Sequence, residues 1–323
     1  LPGYYVGPTA LIAFMMKLDT DVAVMTTPDL ETFHIKRSLV RDDTEYIYTD
    51  HGISSLHLCF REQAFDNFDT LFCDGPNQVA EARRLEELHQ LPGKQLVEAG
   101  FGLMDNLLEN VAALPKAAND PPLALIAPSW QKDNLMELCL PEIVHPLLAC
   151  GFAVVVRPHP EFVKRFGPQL DSIIAHFAAT EAEALDSGRL QFETDFSSNR
   201  NIYSADVVVT DWSTIAQEFS FCTRRPSIFV NTPMKVMNPN WEQVGLKPLE
   251  IAQRSRIGVA LDIEELDGIG QTARGLLAER EQWDERIAGV LKETLFNIGH
   301  SAEVGGRYIL DVLAEYEQVR SGL

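Results

Sequence analysis

Positive charge is scarce in this sequence. Its 323 residues include 27 Lys and Arg against 47 Asp and Glu, which gives a formal net charge of -20. A chain this acidic repels the phosphates of nucleic acid unless it holds a local basic groove, so we predict no nucleic-acid partner. Hydrophobic residues make up 46% and charged residues 23%. These proportions are those of an ordinary globular chain, and they exclude a disordered tail, a collagen-like chain and a disulfide scaffold.

Cysteine is scarce too, and long apolar runs are missing. The five cysteines include no C-x-x-C pair and the eight histidines are scattered. This pattern argues against a structural zinc site and indicates reduced, buried thiols in a cytosolic protein. Residues 4–16 are apolar, but the run is too short to cross a bilayer, contains Gly7 and Pro8, and lacks the features of a signal peptide. We predict a core helix there, with a surface that touches a membrane or a partner as the alternative.

Several familiar site motifs are absent. The sequence has no G-x-x-x-x-G-K-[ST], no strand-linked G-x-G-x-x-G and no G-x-S-x-G. These absences argue against a P-loop NTPase, a standard NAD site and a nucleophile elbow. No D-x-D motif follows a predicted strand either, and we predict neither a metal nor a cofactor.

Short apolar runs alternate with longer helical patterns, which predicts an α/β fold with parallel sheets. The segment 114–122 is rich in proline and polar residues and is the best candidate for a linker. We therefore predict two domains, residues 1–115 and 116–323, with the last helix able to pack back on the first. Strands are predicted at 21–25, 45–49, 70–73, 95–99, 123–127, 152–156, 190–193, 207–210 and 227–230. Helices are predicted at 77–89, 105–113, 135–149, 168–178, 214–221 and from 270 onward, with breaks near 299 and 305–306.

Two such domains would leave a cleft, and ligands of open parallel sheets bind beyond the carboxyl ends of the strands. The strand 207–210 runs into Asp211-Trp212-Ser213-Thr214 and then into a helix. Backbone N–H groups at that helix start, with the hydroxyls of Ser213 and Thr214, favour an anion, and Glu218 could reach a ribose hydroxyl. The alternative is a plain N-cap, in which Asp211, Ser213 or Thr214 only closes the helix.

The strand 152–156 ends in Arg157-Pro158-His159-Pro160. Arg157 offers a planar fork and His159 a donor for phosphate oxygens, on a backbone stiffened by the two prolines. The alternative is a rigid loop whose Arg and His make local hydrogen bonds.

His51 follows the strand 45–49, and a histidine can serve as a general base near neutral pH. Gly52 would allow a substrate to approach closely. The alternative is a turn histidine without a role. Asp50 could orient the imidazole, but neighbouring residues in an extended segment point apart.

Two further strand ends carry weaker candidates. Ser129, Trp130 and Lys132 follow the strand 123–127 and could line a nucleotide pocket, although a helix N-cap with a packing tryptophan explains them equally well. Lys235 follows the strand 227–230 and could face the phosphates or the acceptor, or simply be exposed.

Together these blocks resemble the CDP-glycerol glycerophosphotransferase family, which comprises the teichoic-acid primases and polymerases and their relatives. The resemblance rests on His51-Gly52, on residues 157–160 and on residues 206–214 with Glu218, and it extends through 127–130 and 229–233. It covers most of residues 45–310. The longer tryptophan-containing segment that many polymerases of the family carry around the His-Gly pair is missing here.

The resemblance implies a GT-B fold, two Rossmann-like domains with parallel sheets facing across a cleft that holds the active site. It implies transfer of glycerol phosphate, or a related polyol phosphate, from CDP-glycerol or a similar CDP-alcohol donor to an acceptor hydroxyl, with release of CMP. The acceptor could be lipid-linked, and the product would belong to a cell-wall or surface polymer. The family implies a cytoplasmic enzyme that could attach peripherally to the inner face of the plasma membrane.

The motifs also imply roles for single residues. His51 would be the catalytic base, and Arg157 and His159 would hold the diphosphate. Ser213 and Thr214 would contact the phosphates and Glu218 the ribose, while Asp211 would shape the turn. Ser129 would lie in the nucleotide pocket.

Two alternatives stay open. A GT-B sugar transferase, or a relative of the UDP-sugar 2-epimerases, would share the phosphate-binding helix start and the glutamate that follows it. A nucleotide-binding relative without catalysis is the second alternative, and the presence of His51, Arg157, His159 and Glu218 disfavours it.

Overall fold

The computed structural model describes residues 3–114 and 119–322, so that residues 115–118 of the predicted linker, with the predicted boundary at 115/116, lie outside it. Its strands are β1 Val22–Met25, β2 Glu45–Thr49, β3 Thr70–Cys73, β4 Gln95–Glu98, β5 Leu123–Ile126, β6 Ala153–Val156, β7 Leu190–Phe192, β8 Val207–Thr210, β9 Ser227–Val230 and β10 Gly258–Leu261. Its α-helices are α1 Pro8–Met16, α2 Pro76–His89, α3 Gly102–Ala112, α4 Leu135–Leu138, α5 Leu140–Ala149, α6 Pro160–Arg165, α7 Gly167–Thr180, α8 Ala182–Asp186, α9 Arg200–Ser204, α10 Ile215–Thr223, α11 Leu249–Ile257, α12 Ile269–Ala278, α13 Arg280–Thr294 and α14 Ser301–Ser321.

The described chain divides into two compact units. The first unit comprises the residues up to Asp105, the segment Val236–Leu249 and the residues from Lys292 onward. The second unit comprises Asn106–Lys235 and Glu250–Leu291. The chain therefore leaves and re-enters each unit, and α14 belongs to the first.

The second unit is built on a six-stranded parallel sheet in the order β10-β9-β8-β5-β6-β7. Counted within the unit, this is the doubly wound order 3-2-1-4-5-6. The order reverses between β5 and β8, and the carboxyl ends of strands at such a reversal form a crevice that binds ligands in folds of this kind. β6 and β8 are almost entirely buried, as uninterrupted valine runs predict for strands covered on both faces.

The first unit holds a four-stranded parallel sheet in the order β1-β2-β3-β4. An aromatic cluster packs beside β2, where the Tyr48 ring lies 4.8 Å from Phe65 and 5.4 Å from Phe68. Because β2 and β3 are parallel neighbours, the residues that follow them, Asp50 and Asp74, lie at the same edge of the sheet.

The predicted strands agree closely with the observed ones, but two helical predictions are wrong. The predicted helix 135–149 is two helices, because Pro141 has no N–H to offer the carbonyl of Glu137 and the chain turns at Cys139, where φ is -157°. The predicted break at 305–306 does not occur, since α14 runs through both glycines. The break near 299 is confirmed, and Gly299 adopts a φ of 84° that favours glycine. Sequence patterns also missed α6, α8, α9, α11 and β10.

The apolar run 4–16 contains α1, and only part of this run is buried in the core. Met15 is buried, whereas Tyr4, Tyr5, Ile12 and Phe14 are exposed. No helix of the described residues combines the length and the apolarity needed to cross a membrane. The cysteines are free thiols, and burial raises the pKa of Cys73, Cys139 and Cys222 to about 12.

Candidate active site

Asp211 ties together the two strand ends at the reversal of the second sheet. Its carboxylate is buried and accepts the backbone N–H of Ser129 at 2.7 Å and the Ser129 hydroxyl at 3.1 Å. It also accepts the N–H groups of Trp212 at 2.7 Å and Leu135 at 3.1 Å. Four donors engage both carboxylate oxygens, so Asp211 shapes the turn and fixes Ser129 beside it.

The start of α10 is open. Thr214 is the N-cap residue, and its side chain makes no cap hydrogen bond. The Ser213 hydroxyl lies 3.4 Å from the N–H of Ile215, which is too long for a strong cap. Thr214 instead donates its hydroxyl to Glu218 at 3.2 Å, and both side chains are half-buried. Of the hydroxyls in the plain N-cap alternative, that of Ser213 caps the helix weakly and that of Thr214 does not, and the start of α10 remains a candidate anion site.

Arg254 contacts the turn that precedes α10 and stabilises it. The sequence analysis did not identify this residue. Its guanidinium lies 4.3 Å from the ring centre of Trp212 and 4.8 Å from that of Phe229. It donates to the carbonyl of Asp211 at 3.4 Å and to Asn231 Oδ1 at 2.8 Å. The indole N–H of Trp212 donates to the carbonyl of Thr232 at 2.9 Å. Nothing in the pattern around residue 254 marks this role, because the contacts join segments far apart in sequence.

His159 is the N-cap residue of α6, and only one of its two ring nitrogens takes part in the cap. Its Nδ1 accepts the backbone N–H of Glu161 at 3.1 Å, as an N-cap side chain does. In the neutral ring the proton must then lie on Nε2, which makes that atom a hydrogen-bond donor. Burial lowers the pKa of His159, so the ring is neutral at pH 7. The ring centres of Trp130 and His159 are 6.5 Å apart, so the residues that follow β5 and β6 lie close together.

Arg157 is buried and engaged. Its guanidinium donates to the carbonyl of Ser198 at 3.0 Å and to Asn199 Oδ1 at 2.9 Å, and it lies 2.9 Å from a carboxylate oxygen of Glu193. It also lies 5.2 Å from the ring centre of Phe196. These contacts correspond to the alternative in which Arg157 makes local hydrogen bonds. They hold the segment that follows β7 in place.

Lys235 joins the strand ends of β5 and β9. Its ammonium group donates to the carbonyl of Lys132. Burial lowers the pKa of Lys235, while the charges of Asp211, Asp133 and Glu137 oppose that shift. Lys235 is therefore a half-buried lysine among acidic groups at this edge of the sheet.

His51 and Gly52 belong to the first unit and lie just beyond β2. The His51 side chain is 67% exposed, and Gly52 is buried. The His51 Nδ1 lies 3.7 Å from Asp50 Oδ1. The remaining predicted site residues belong to the second unit, where the structure joins Ser129 with Asp211 and Thr214 with Glu218. Among the residues described, no group of three or more His, Cys, Asp or Glu side chains could hold a metal ion.

No family model matches the sequence, and no curated protein matches it. Among solved structures, the chain is similar to the wall teichoic acid polymerase TagF, at 13% identity and a TM-score of 0.50 over 86% of this chain and 70% of that chain. A variant of TagF with CDPG is similar at 13% identity and a TM-score of 0.53 over 93% of this chain and 73% of that chain. A UDP-forming α,α-trehalose-phosphate synthase from Burkholderia xenovorans is similar at 11% identity and a TM-score of 0.49, over 83% and 68% of the two chains.

The likeness to TagF shows the fold. It confirms the prediction of a GT-B chain made of two α/β domains with parallel sheets. The resemblance first stated from the motifs is thereby borne out at the level of architecture.

Proposed function

We propose that this protein is a transferase that moves glycerol phosphate, or a related polyol phosphate, from a CDP-alcohol to an acceptor hydroxyl and releases CMP. The observation that carries the proposal is the start of α10, whose N-cap residue Thr214 makes no side-chain cap hydrogen bond and which follows the strand where the second sheet reverses. A helix start of this kind binds phosphate through its N–H groups and dipole. The motifs around it and the fold shared with TagF support a cytidine diphosphate donor.

In this proposal the second unit binds the donor. Ser213, Thr214 and the first N–H groups of α10 hold the phosphates, and Glu218 accepts from the ribose. His159 donates its Nε2 proton to a phosphate oxygen, and Lys235 adds positive charge. We reassign Arg157 from the diphosphate to a positioning role, because its donors serve the segment 193–199.

The first unit supplies the base. The oxygen of the acceptor hydroxyl attacks the β-phosphorus while His51 takes the hydroxyl proton. The bond from the β-phosphorus to the bridging oxygen breaks, and CMP leaves with that oxygen. Hydrogen-bond donors around the phosphates offset the negative charge that develops on CMP.

Donor identity is tested with a thermal-shift panel of CDP-glycerol, CDP-ribitol, UDP-GlcNAc and CMP-sialate. A ligand that binds only the folded state raises the melting temperature with its concentration. We expect the CDP-alcohols to raise it and Glu218→Ala to weaken that effect. A shift with UDP-GlcNAc alone would favour the sugar transferase or epimerase alternative.

Catalysis is tested by His51→Ala, with His34→Ala, another exposed histidine of the first unit, as the matched control. Loss of a general base lowers turnover by about 10²–10⁴-fold. We expect that loss for His51→Ala with donor binding intact, and no loss for His34→Ala. Unchanged turnover in His51→Ala would remove the histidine from the mechanism, and donor binding without turnover in the wild type would favour the non-catalytic alternative.

We further propose that the protein attaches peripherally to membranes through the segment that contains α1. The exposed Tyr4, Tyr5, Ile12 and Phe14 support this role, because apolar groups of this size bind at the headgroup boundary of a bilayer.

A further inference from the structure

Asp50 is buried next to the exposed His51 and receives donors from several directions. Its Oδ1 accepts the backbone N–H groups of His51 at 2.7 Å and Gly52 at 3.3 Å. Its Oδ2 accepts the Ser54 hydroxyl at 3.2 Å and the Gln78 amide at 3.2 Å. The Tyr48 hydroxyl lies 3.3 Å from Oδ1. These bonds hold the carboxylate in one orientation.

The chain bends at residues 51–53, so the expectation that neighbouring side chains point apart is wrong here. The bend brings His51 Nδ1 to 3.7 Å from Asp50 Oδ1. A movement of about 1 Å by the exposed ring closes this gap to a hydrogen bond. Nε2 then lies on the opposite edge of the ring, away from Asp50.

A second buried carboxyl group, that of Asp74, lies close to Asp50 and affects its charge. Asp74 follows β3, and the Gln78 amide bridges it to Asp50, donating to Asp74 Oδ2 at 3.3 Å. Asp74 Oδ1 has no hydrogen-bond partner among the described residues. Desolvation, and then the charge of Asp50, raise the pKa of Asp74 well above the ordinary range.

Burial raises the pKa of Asp50 as well, but the N–H groups of His51 and Gly52 and the Ser54 hydroxyl oppose it. Because Asp50 has five donors and Asp74 has few, Asp50 is the member of the pair that loses its proton more readily and so carries the negative charge.

We propose that Asp50 is the positioning residue for His51, because its carboxylate accepts the Nδ1 proton and leaves the Nε2 lone pair to take the proton of the acceptor hydroxyl. This role rests on the proposed function. The other neutral tautomer would turn a lone pair toward the carboxylate, which is unfavourable. After Nε2 takes the proton, the imidazolium lies beside a negative charge that stabilises it.

The tautomer of His51 tests the proposal without any substrate. In ¹⁵N-labelled protein at pH 8, long-range ¹H–¹⁵N spectra distinguish a protonated Nδ1 from a protonated Nε2, and His51→Gln identifies the signals. We expect the Nδ1–H form in the wild type and in Asp74→Asn, and a shift toward Nε2–H in Asp50→Asn. A wild-type ring that carries its proton on Nε2 overturns the proposal, and this measurement needs no Asp50 variant to fold.

Turnover supplies the second readout. Asp50→Asn should lower kcat by about 10- to 100-fold with an unchanged KM for the donor. The matched control is Asp206→Asn, a buried aspartate of the second unit that accepts the N–H of Leu123 at 2.9 Å, and it should keep wild-type kcat. Equal kcat in Asp50→Asn and the wild type overturns the positioning role. A wild type that holds the Nδ1–H tautomer but transfers nothing from CDP-alcohols refutes the proposed function and leaves the positioning of His51 standing.

Discussion

His159 caps a helix with one edge of its ring, and in the proposed function it binds a phosphate oxygen with the opposite edge. Its Nδ1 closes the start of α6 on the N–H of Glu161, and its Nε2 keeps the proton. Burial lowers the pKa of His159, although the charge of Glu161 opposes the shift. The ring therefore acts as a neutral donor near pH 7, and protonation at Nδ1 would break the cap.

This pKa gives a prediction for stability against pH. The unfolded histidine titrates near 6.5, above the folded value, so below about pH 6.5 the unfolded chain binds more protons and stability falls. His159→Asn keeps an N-cap acceptor but cannot titrate. We expect the variant to lie within about 1 kcal/mol of the wild type at pH 8 and to lose less stability than the wild type between pH 7 and pH 5.5, measured by urea unfolding.

His176→Asn is the control for this prediction, because His176 is an exposed histidine of the same unit. It should follow the wild-type pH profile. Parallel profiles for His159→Asn and the wild type would mean that the buried ring does not resist protonation.

Among single residues, the sequence identified those that follow strands. Ser129, His159 and Asp211 were selected in this way, since parallel strands deliver their carboxyl ends to one edge. Arg254 was missed because its partners are distant in sequence, and Gln78 because it bridges the nearby Asp74 to the distant Asp50. Arg157 was assigned to a ligand because its chemistry suits phosphate, and only the fold shows its donors engaged by residues 193–199.

At the scale of elements, α14 shows how packing overrides local propensity. Gly305 and Gly306 predict a break, since glycine is a poor helix former. The helix continues because it packs on the first sheet, where Tyr308 lies 5.7 Å from Phe72 and its hydroxyl lies 2.9 Å from that of Thr70. A Cβ at Gly305 would come within 2.9 Å of the Phe72 ring, whereas nothing lies within 4 Å of a Cβ at Gly306.

The two neighbouring glycines therefore form a matched pair. Gly306→Ala should raise the free energy of unfolding by about 0.5–1 kcal/mol, because alanine favours the helix and meets no neighbour. Gly305→Ala should lower it by about 1–3 kcal/mol, because the buried Phe72 must shift. Chemical denaturation measures both. A gain of equal size in the two variants would contradict the close packing of α14 on Phe72.

At the scale of the whole molecule, net charge and exposed apolar surface oppose each other. The formal charge of -20 repels an anionic bilayer, while the apolar side chains near α1 favour any bilayer. Salt screens the repulsion and leaves the apolar contribution in place.

The proposed membrane contact thus has a distinctive salt dependence. We expect binding to vesicles with anionic lipid to strengthen between 20 mM and 300 mM NaCl, on the order of severalfold, as sedimentation would measure. Ile12→Asp should weaken binding at both concentrations, while Asp171→Asn, at an exposed site of the second unit, should not. Binding that weakens with salt and tolerates Ile12→Asp would point to a basic patch instead of α1.

The sequence by itself determined the class of fold and the positions of β1 to β9, because alternation of buried valine-rich runs with amphipathic segments depends on local pattern. It also placed the candidate site residues at the ends of strands. Tertiary structure decided what each side chain there is bonded to: the four donors on Asp211, the partners that engage Arg157, and the buried pair Asp50 and Asp74 beside His51. Such contacts join residues that are adjacent only after the sheets form, and burial, which sets their charges, exists only in the folded chain.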